Sequence, residues 1–309
     1  MTISKMYGTA VKRILQIFLG AVMLTGINLS AKELKVLTIG NSFADSVFVY
    51  LPSIAENAGY PLLIERANLP GCSLQRHWEL AERSESEPEL KPYKGKNLRE
   101  MLTSEEWDVV TLQQASPFSW QSDSYYPYLE NLAEYVHKYA PAAEIVLQQT
   151  WSYRFDDPRL AQWQITPAEM YDNIVKSYNL AAEKLNVRQI PTGLAVDLAR
   201  KNQPVKFSPY DIAEVNALEY PAELPDQQGS LVNGIWWGKN RDGEWELKRD
   251  AYHLNRRGQY LQACLWFAFL FDRPATGITF CPEGLAADDA EFLRQTAQNA
   301  LESFTQVKK

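Results

Sequence analysis

In "DAYHLNRRGQYLQ" an aspartate, Asp250, stands three residues ahead of His253, in a chain with only three histidines. A histidine acting as general base needs one ring nitrogen on a hydroxyl and the other held by an acceptor, and an aspartate is the right type to fix its tautomer. The spacing reads as one helical turn at the mouth of the helix "YHLNRRGQYLQACLWFAFLF", so Asp250 serves equally well as that helix's N-cap, in a structural pair. Ser42, in "TIGNSFADS", is the candidate nucleophile. It follows an apolar run and opens a helical pattern, where the first backbone amides have no intrahelical acceptor and can face a developing oxyanion. The alternative is that Asn41 or Ser42 merely caps that helix.

Two more groups fit the same chemistry. Gly71, in "LPGCSLQRHW", lacks a Cβ and lets a backbone amide approach a ligand closely, although a turn glycine looks the same in sequence. "VVTLQQAS" ends an apolar run on Gln113 and Gln114, either of which can donate a neutral hydrogen bond toward the same point, or lie solvated in a loop. His77 follows Gly71 and reads either as a pocket residue or as a surface histidine, the second being the simpler. No CxxC or HExxH occurs and the histidines are far apart, so neither a metal nor another cofactor is expected.

Short apolar runs must position these residues. "LKVLTIG", "PLLIERAN", "WDVVTLQQ", "AEIVLQQT" and "VRQIPTG" read as five strands, separated by helical patterns such as "YYPYLENLAEYVHKYA" and "PAEMYDNIVKSYNLAAEKLN". That alternation predicts an α/β fold with a parallel sheet covered on both faces, whose ligands bind beyond the carboxyl ends of the strands. Residues 203–248, rich in proline, acid and tryptophan, break the pattern. They read as an insertion with a hairpin around Asp242-Gly243.

Taken in order, serine, glycine, carboxamide and Asp-x-x-His, these residues resemble the SGNH or GDSL-like hydrolases. The resemblance runs from "GNSFADS" to "HLNRRGQYL", where "HLNxxGxYL" is similar to the family's "HPNxxGxxxxA" with Leu254 in place of proline. It implies a three-layer α/β/α sandwich with a five-stranded parallel, flavodoxin-like sheet. It also implies Ser42 as nucleophile, His253 as base and acid, Asp250 as its orienter, and the Ser42 and Gly71 amides as two arms of an oxyanion hole. The third block departs: "LQQAS" looks more like the "QGES" of sialate O-acetylesterase-like enzymes, which places Gln113, ahead of Gln114, as the third arm.

The remaining features bear on substrate and location. The chain has 309 residues, 46% hydrophobic and 12% aromatic, enough for one domain, expected over residues 32–309. Its net charge of −7, without a basic run, argues against nucleic acid as a partner. Lys5, Lys12 and Arg13 precede "ILQIFLGAVMLTGI" and "NLSA", which reads as a signal peptide over residues 1–31, hence export to the periplasm or beyond and no stable membrane insertion after cleavage. An uncleaved anchor is the alternative. An oxidising compartment would permit one disulfide among Cys72, Cys264 and Cys281 and leave one thiol over. The insertion's Trp236, Trp237 and Trp245 suit the apolar faces of sugar rings as well as a hairpin core, and Trp78, Trp120 and Trp151 follow strand ends. With Asn41, the residues Trp78, Trp151 and Trp237 are the candidate substrate contacts. The expected function is ester hydrolysis, with acetyl on a carbohydrate preferred. A lipase or thioesterase and a non-catalytic glycan-binding relative are the alternatives.

Overall fold

The computed structural model describes residues 32–307; the signal-peptide reading of residues 1–31 lies outside the described residues. Five strands form one sheet: β1 Leu34–Gly40, β2 Leu62–Asn68, β3 Val109–Leu112, β4 Glu144–Gln148 and β5 Arg188–Ile190. Their order is β2-β1-β3-β4-β5 and each neighbouring pair is parallel. β3 is buried along its whole length, as expected of a strand covered on both faces.

The helices make the two outer layers. Leu51–Asn57, Thr192–Asn202, Arg256–Phe271 and Ala287–Val307 pack with one another, and Leu74–Ser86, Leu98–Leu102 and Tyr128–Tyr139 form a second group. This is the α/β/α sandwich with the flavodoxin-like order. The chain leaves β1 toward β2 and returns on its other side to β3, so the carboxyl ends of β1 and β3 frame the crevice where such sheets bind ligands. Gly40, the last residue of β1, is therefore one residue from a cap and two from Ser42.

A second, two-stranded antiparallel sheet pairs β6 Val232–Lys239 with β7 Trp245–Leu254. At its tip Asn240 Oδ1 accepts from the amides of Asp242 and Glu244 at 3.0 and 2.9 Å, and Gly243 takes a φ of +86°, a region open to glycine. The hairpin expected around Asp242-Gly243 is present, but its second strand runs on past the anticipated end at residue 248. Asp250 and His253 therefore lie in β7 and not on a helix. The helix begins at Arg256, capped by Asn255, whose side chain accepts from the Gly258 amide at 3.2 Å. Apolar periodicity pointed to the right helix and placed its start a turn too early.

A buried charge cluster docks the hairpin on the sandwich. Asp156, in the segment after β4, receives Arg154 Nε and Nη2 at 2.6 and 2.8 Å, Tyr210 at 2.6 Å and Arg249 of β7 at 2.7 Å. Burial opposes ionisation of Asp156, but these donors hold its carboxyl below the usual range. The Arg154 amide donates to Ala251 O at 2.8 Å, one residue past Asp250. Cys72, Cys264 and Cys281 are all free thiols, so the disulfide that an oxidising compartment would permit is not formed; the first two are buried and the third is exposed.

Candidate active site

Ser42 begins a single helical turn, Ser42–Asp45. Asn41 caps it with Oδ1 accepting from Phe43 N at 3.0 Å, and the Asn41 Nδ2 donates to Cys72 O at 3.2 Å. One buried side chain thus fixes the Ser42 turn and ties to it the loop that carries Gly71. The turn is too short for a macrodipole of any size, so its amides themselves are the electrophilic feature. Beneath it, the carboxamides of Gln148 and Gln262 both donate to Phe43 O, at 3.4 and 3.2 Å, and the Phe43 ring stacks on Trp151 with centroids 4.0 Å apart and an 8° interplanar angle. Such a pair adds about 0.5–1.5 kcal/mol beyond its buried area.

His253 reaches Ser42 because β7 is irregular. In a regular strand, residues 250 and 253 would point to opposite faces. Here Val232 pairs with Leu254 and Gly234 with Asp250, so three residues of β7 face only Asn233. This bulge is folded onto the aspartate: Asp250 Oδ1 accepts from the amides of His253 at 3.0 Å and Tyr252 at 3.4 Å. The turn brings His253 Nδ1 to 3.0 Å from Asp250 Oδ2, and Nε2 to 2.8 Å from Ser42 Oγ. With Asp250 accepting at Nδ1–H, Nε2 is left to accept the serine proton. Asn233 Nδ2 completes the shell on Asp250 Oδ2 at 2.9 Å. Burial alone would raise the Asp250 carboxyl, but the His253 side-chain and backbone donors and Asn233 outweigh it and bring it down to about 2.

The description "Domain of unknown function (DUF4886)" fits residues 35–206, more than half of the chain. The chain belongs to the DUF4886 family. A DUF4886 family protein from Bacteroides uniformis ATCC 8492 is 26% identical, with a TM-score of 0.66 over 87% of this chain and 95% of that one. A "putative SGNH hydrolase" from Slackia heliotrinireducens is similar at 18% identity and a TM-score of 0.46, covering 77% and 99% of the two chains. A "putative GDSL-like lipase" from Parabacteroides merdae ATCC 43184 is similar at 15% identity and 0.48, covering 79% and 98%. No curated protein matches the chain. Ser42, Gly71 and Gln113 fall within the DUF4886 match, whereas Asp250 and His253 lie beyond it.

In this DUF4886 protein the two amides expected as backbone arms of an oxyanion hole are both unpaired: among the described residues neither the Ser42 nor the Gly71 amide has a protein acceptor. Gly71 is exposed with a φ of +61°, and an added Cβ would meet nothing within 4 Å, so the glycine serves the left-handed backbone and not a tight fit. The carboxamides behave otherwise. Gln114 is fully used in structure: its Oε1 accepts from Leu74 N at 3.0 Å and Ala115 N at 2.8 Å, while Nε2 donates to Ser124 O at 2.8 Å. Gln113 is sealed under the turn against Gly40, and both its carboxamide atoms are buried without a protein partner. A donor shut off from solvent does not meet an entering carbonyl, so neither glutamine is presented as the third arm.

Most of the expected substrate contacts are also structural. Asn41 is buried in the cap just described. Trp151 is fully buried, with Nε1 donating to Tyr252 O at 2.7 Å. Trp78 packs edge-on against Tyr135, 6.2 Å between centroids, in the helical layer. Trp237 is partly buried, and its Nε1 donates to Ala222 O at 2.8 Å, fastening the insertion to the hairpin.

His77 had no foreseeable place. It is fully buried, not on the surface, with Nε2 2.8 Å from Gly40 O and Nδ1 2.8 Å from Tyr93 Oη. A carbonyl only accepts, so Nε2 carries the proton and Tyr93 donates to Nδ1. Gly40 O also accepts from Leu69 N at 3.1 Å, so His77 locks the Gly71 loop to the end of β1. Burial pushes its imidazole down to about 4. The histidine between the glycine block and the second helical layer was the available signal, but nothing in its spacing announced a buried acceptor.

Proposed function

We propose that this protein is an exported serine esterase that removes acyl groups, acetyl first among them, from carbohydrates through an acyl-serine intermediate. One observation carries the reading: the unbroken chain Ser42 Oγ, His253, Asp250, with contacts of 2.8 and 3.0 Å. His253 takes the Ser42 proton as Oγ attacks the ester carbonyl carbon, and Asp250 stabilises the imidazolium that results. The Ser42 and Gly71 amides donate to the tetrahedral oxyanion. Collapse returns the proton from His253 to the departing alcohol oxygen, leaving the acyl group on Ser42. A water deprotonated by the same imidazole then attacks the acyl carbon, and on collapse the C–O bond to Ser42 breaks, His253 returns the proton to Ser42 Oγ and the acid is released.

Support for the finer statements is of different kinds. The apolar leader "ILQIFLGAVMLTGI" favours export, which exposes the enzyme to polysaccharides. The motif order of SGNH hydrolases, with the triad assembled, favours a carboxylic ester over other acyl derivatives. The test is acid release by the mature protein from 4-nitrophenyl esters of two to ten carbons and from acetylated polysaccharides, with Ser42→Ala alongside. Acetate release that disappears in the variant is expected. Preference for the long chains would replace the acetylesterase with a lipase, and no release from any of them would leave a glycan-binding relative.

A further inference from the structure

We propose that Trp236 is the platform on which the sugar ring of the leaving alcohol rests; this builds on the esterase reading above and assigns a specificity-determining residue to it. Successive residues of a strand alternate between faces, so Lys248 and Asp250 of β7 share one face, and Trp236, which pairs with Lys248, lies on it too. The opposite face packs on the rest of the chain near Asp156 and opens toward the hairpin's tip. Ile235 is buried there, Arg249 reaches Asp156, and Trp237 and Trp245 contact Tyr220. Because Asp250 pairs with Gly234, Trp236 is its diagonal neighbour, about 7 Å away between Cβ atoms.

The shape of the outer face suits a flat ligand. An added Cβ at Gly238 would come 3.3 Å from Trp236 Nε1 and 2.8 Å from Lys248 Cγ, so the missing side chain lets the indole lie along the strand. The indole stays 44% exposed although it stands beside the site. Its flank is polar: Lys248 pairs with Glu246 on the same face. A pyranose ring laid on the indole covers apolar C–H with apolar ring and leaves its hydroxyls in reach of those two charges. An acyl chain would gain nothing from the charged flank. The continuity of this surface with Asp250 makes the occupant the alcohol side of the ester rather than a separate glycan.

The experiment compares wild type, Trp236→Ala and Trp245→Ala on 4-nitrophenyl acetate and on an O-acetylated xylo-oligosaccharide. Trp245 is equally exposed, at 45%, but lies on the other face against Tyr220. Trp236→Ala should raise KM for the oligosaccharide about 3- to 10-fold and leave the aryl acetate unchanged, while Trp245→Ala should change neither. Equal effects of Trp236→Ala on both substrates, no effect on either, or hydrolysis of the aryl acetate alone by wild type would each overturn the platform. If wild type cleaves neither ester, the esterase reading fails by itself. Calorimetric binding of the deacetylated oligosaccharide then decides: weaker binding by Trp236→Ala supports the platform, and unchanged or absent binding overturns it.

Discussion

Asp250 accepts from the His253 ring and backbone, from Tyr252 and from Asn233, so it orients the imidazole and shapes the bulge that carries it. Asp250→Asn should preserve the fold, since an amide oxygen still accepts from the backbone, but present the wrong partner to Nδ1. Turnover of an aryl acetate is expected to fall by about 10³–10⁴-fold. A loss under tenfold would remove Asp250 from its role. His77 makes a prediction about pH. Its folded value, about 4, lies below the ordinary 6.5, so the unfolded chain binds the proton more readily. Its contribution is complete above pH 6.5 and is lost as pH falls toward 4, on the order of 3 kcal/mol in all. Urea midpoints measured across that interval should drop more steeply in wild type than in His77→Gln. That Ser42, His253 and Asp250 would come together was legible because a hydroxyl, an imidazole and a carboxylate are the types the proposed acyl transfer needs, and the structure brings the three within hydrogen-bond reach. The glutamines misled because a carboxamide at a strand end can point into the layer below or toward the ligand, and composition does not choose between them.

The hairpin is the element on which the proposed catalysis would depend, since it delivers Asp250 and His253, and it docks through the Asp156 charge cluster as well as through buried Val232, Ile235, Ala251 and Leu254. Removing the Asp156 carboxylate, in a residue 2% exposed, leaves the Arg154 charge buried without its counter-ion and takes one acceptor from Arg249, which keeps Asn216 Oδ1 and the Asp156 carbonyl. Breaking a buried pair from one side typically costs about 3–5 kcal/mol. Asp156→Ala should therefore lower the Tm and reduce kcat at temperatures where the far-ultraviolet dichroism is still native. Unaltered kcat in the folded variant would show that the cluster does not position β7. The five strands of the main sheet were readable from short apolar runs alone. The hairpin was recognisable from its Asp-Gly turn, but the reach of β7 was not, because the bulge suspends the two-residue alternation at Asp250–His253.

Across the whole molecule, one sheet and two helical layers supply the core without a covalent staple. Burial pushes the thiols of Cys72 and Cys264 up to about 12, and neither is paired. Thiol titration of the native protein should find one reactive group, Cys281, and titration in denaturant should find three; a reductant should leave the Tm unchanged. Counting cysteines against a presumed oxidising compartment suggested a bridge that the fold does not make, because pairing depends on distances the sequence does not carry. The most direct test of the central assignment is intact-mass and peptide analysis after treatment with a fluorophosphonate, in wild type and in His253→Ala. A single adduct on Ser42 in wild type, strongly reduced in the variant, is the predicted result. Labelling elsewhere, or equal labelling of Ser42 without His253, would contradict activation of Ser42 by the β7 histidine.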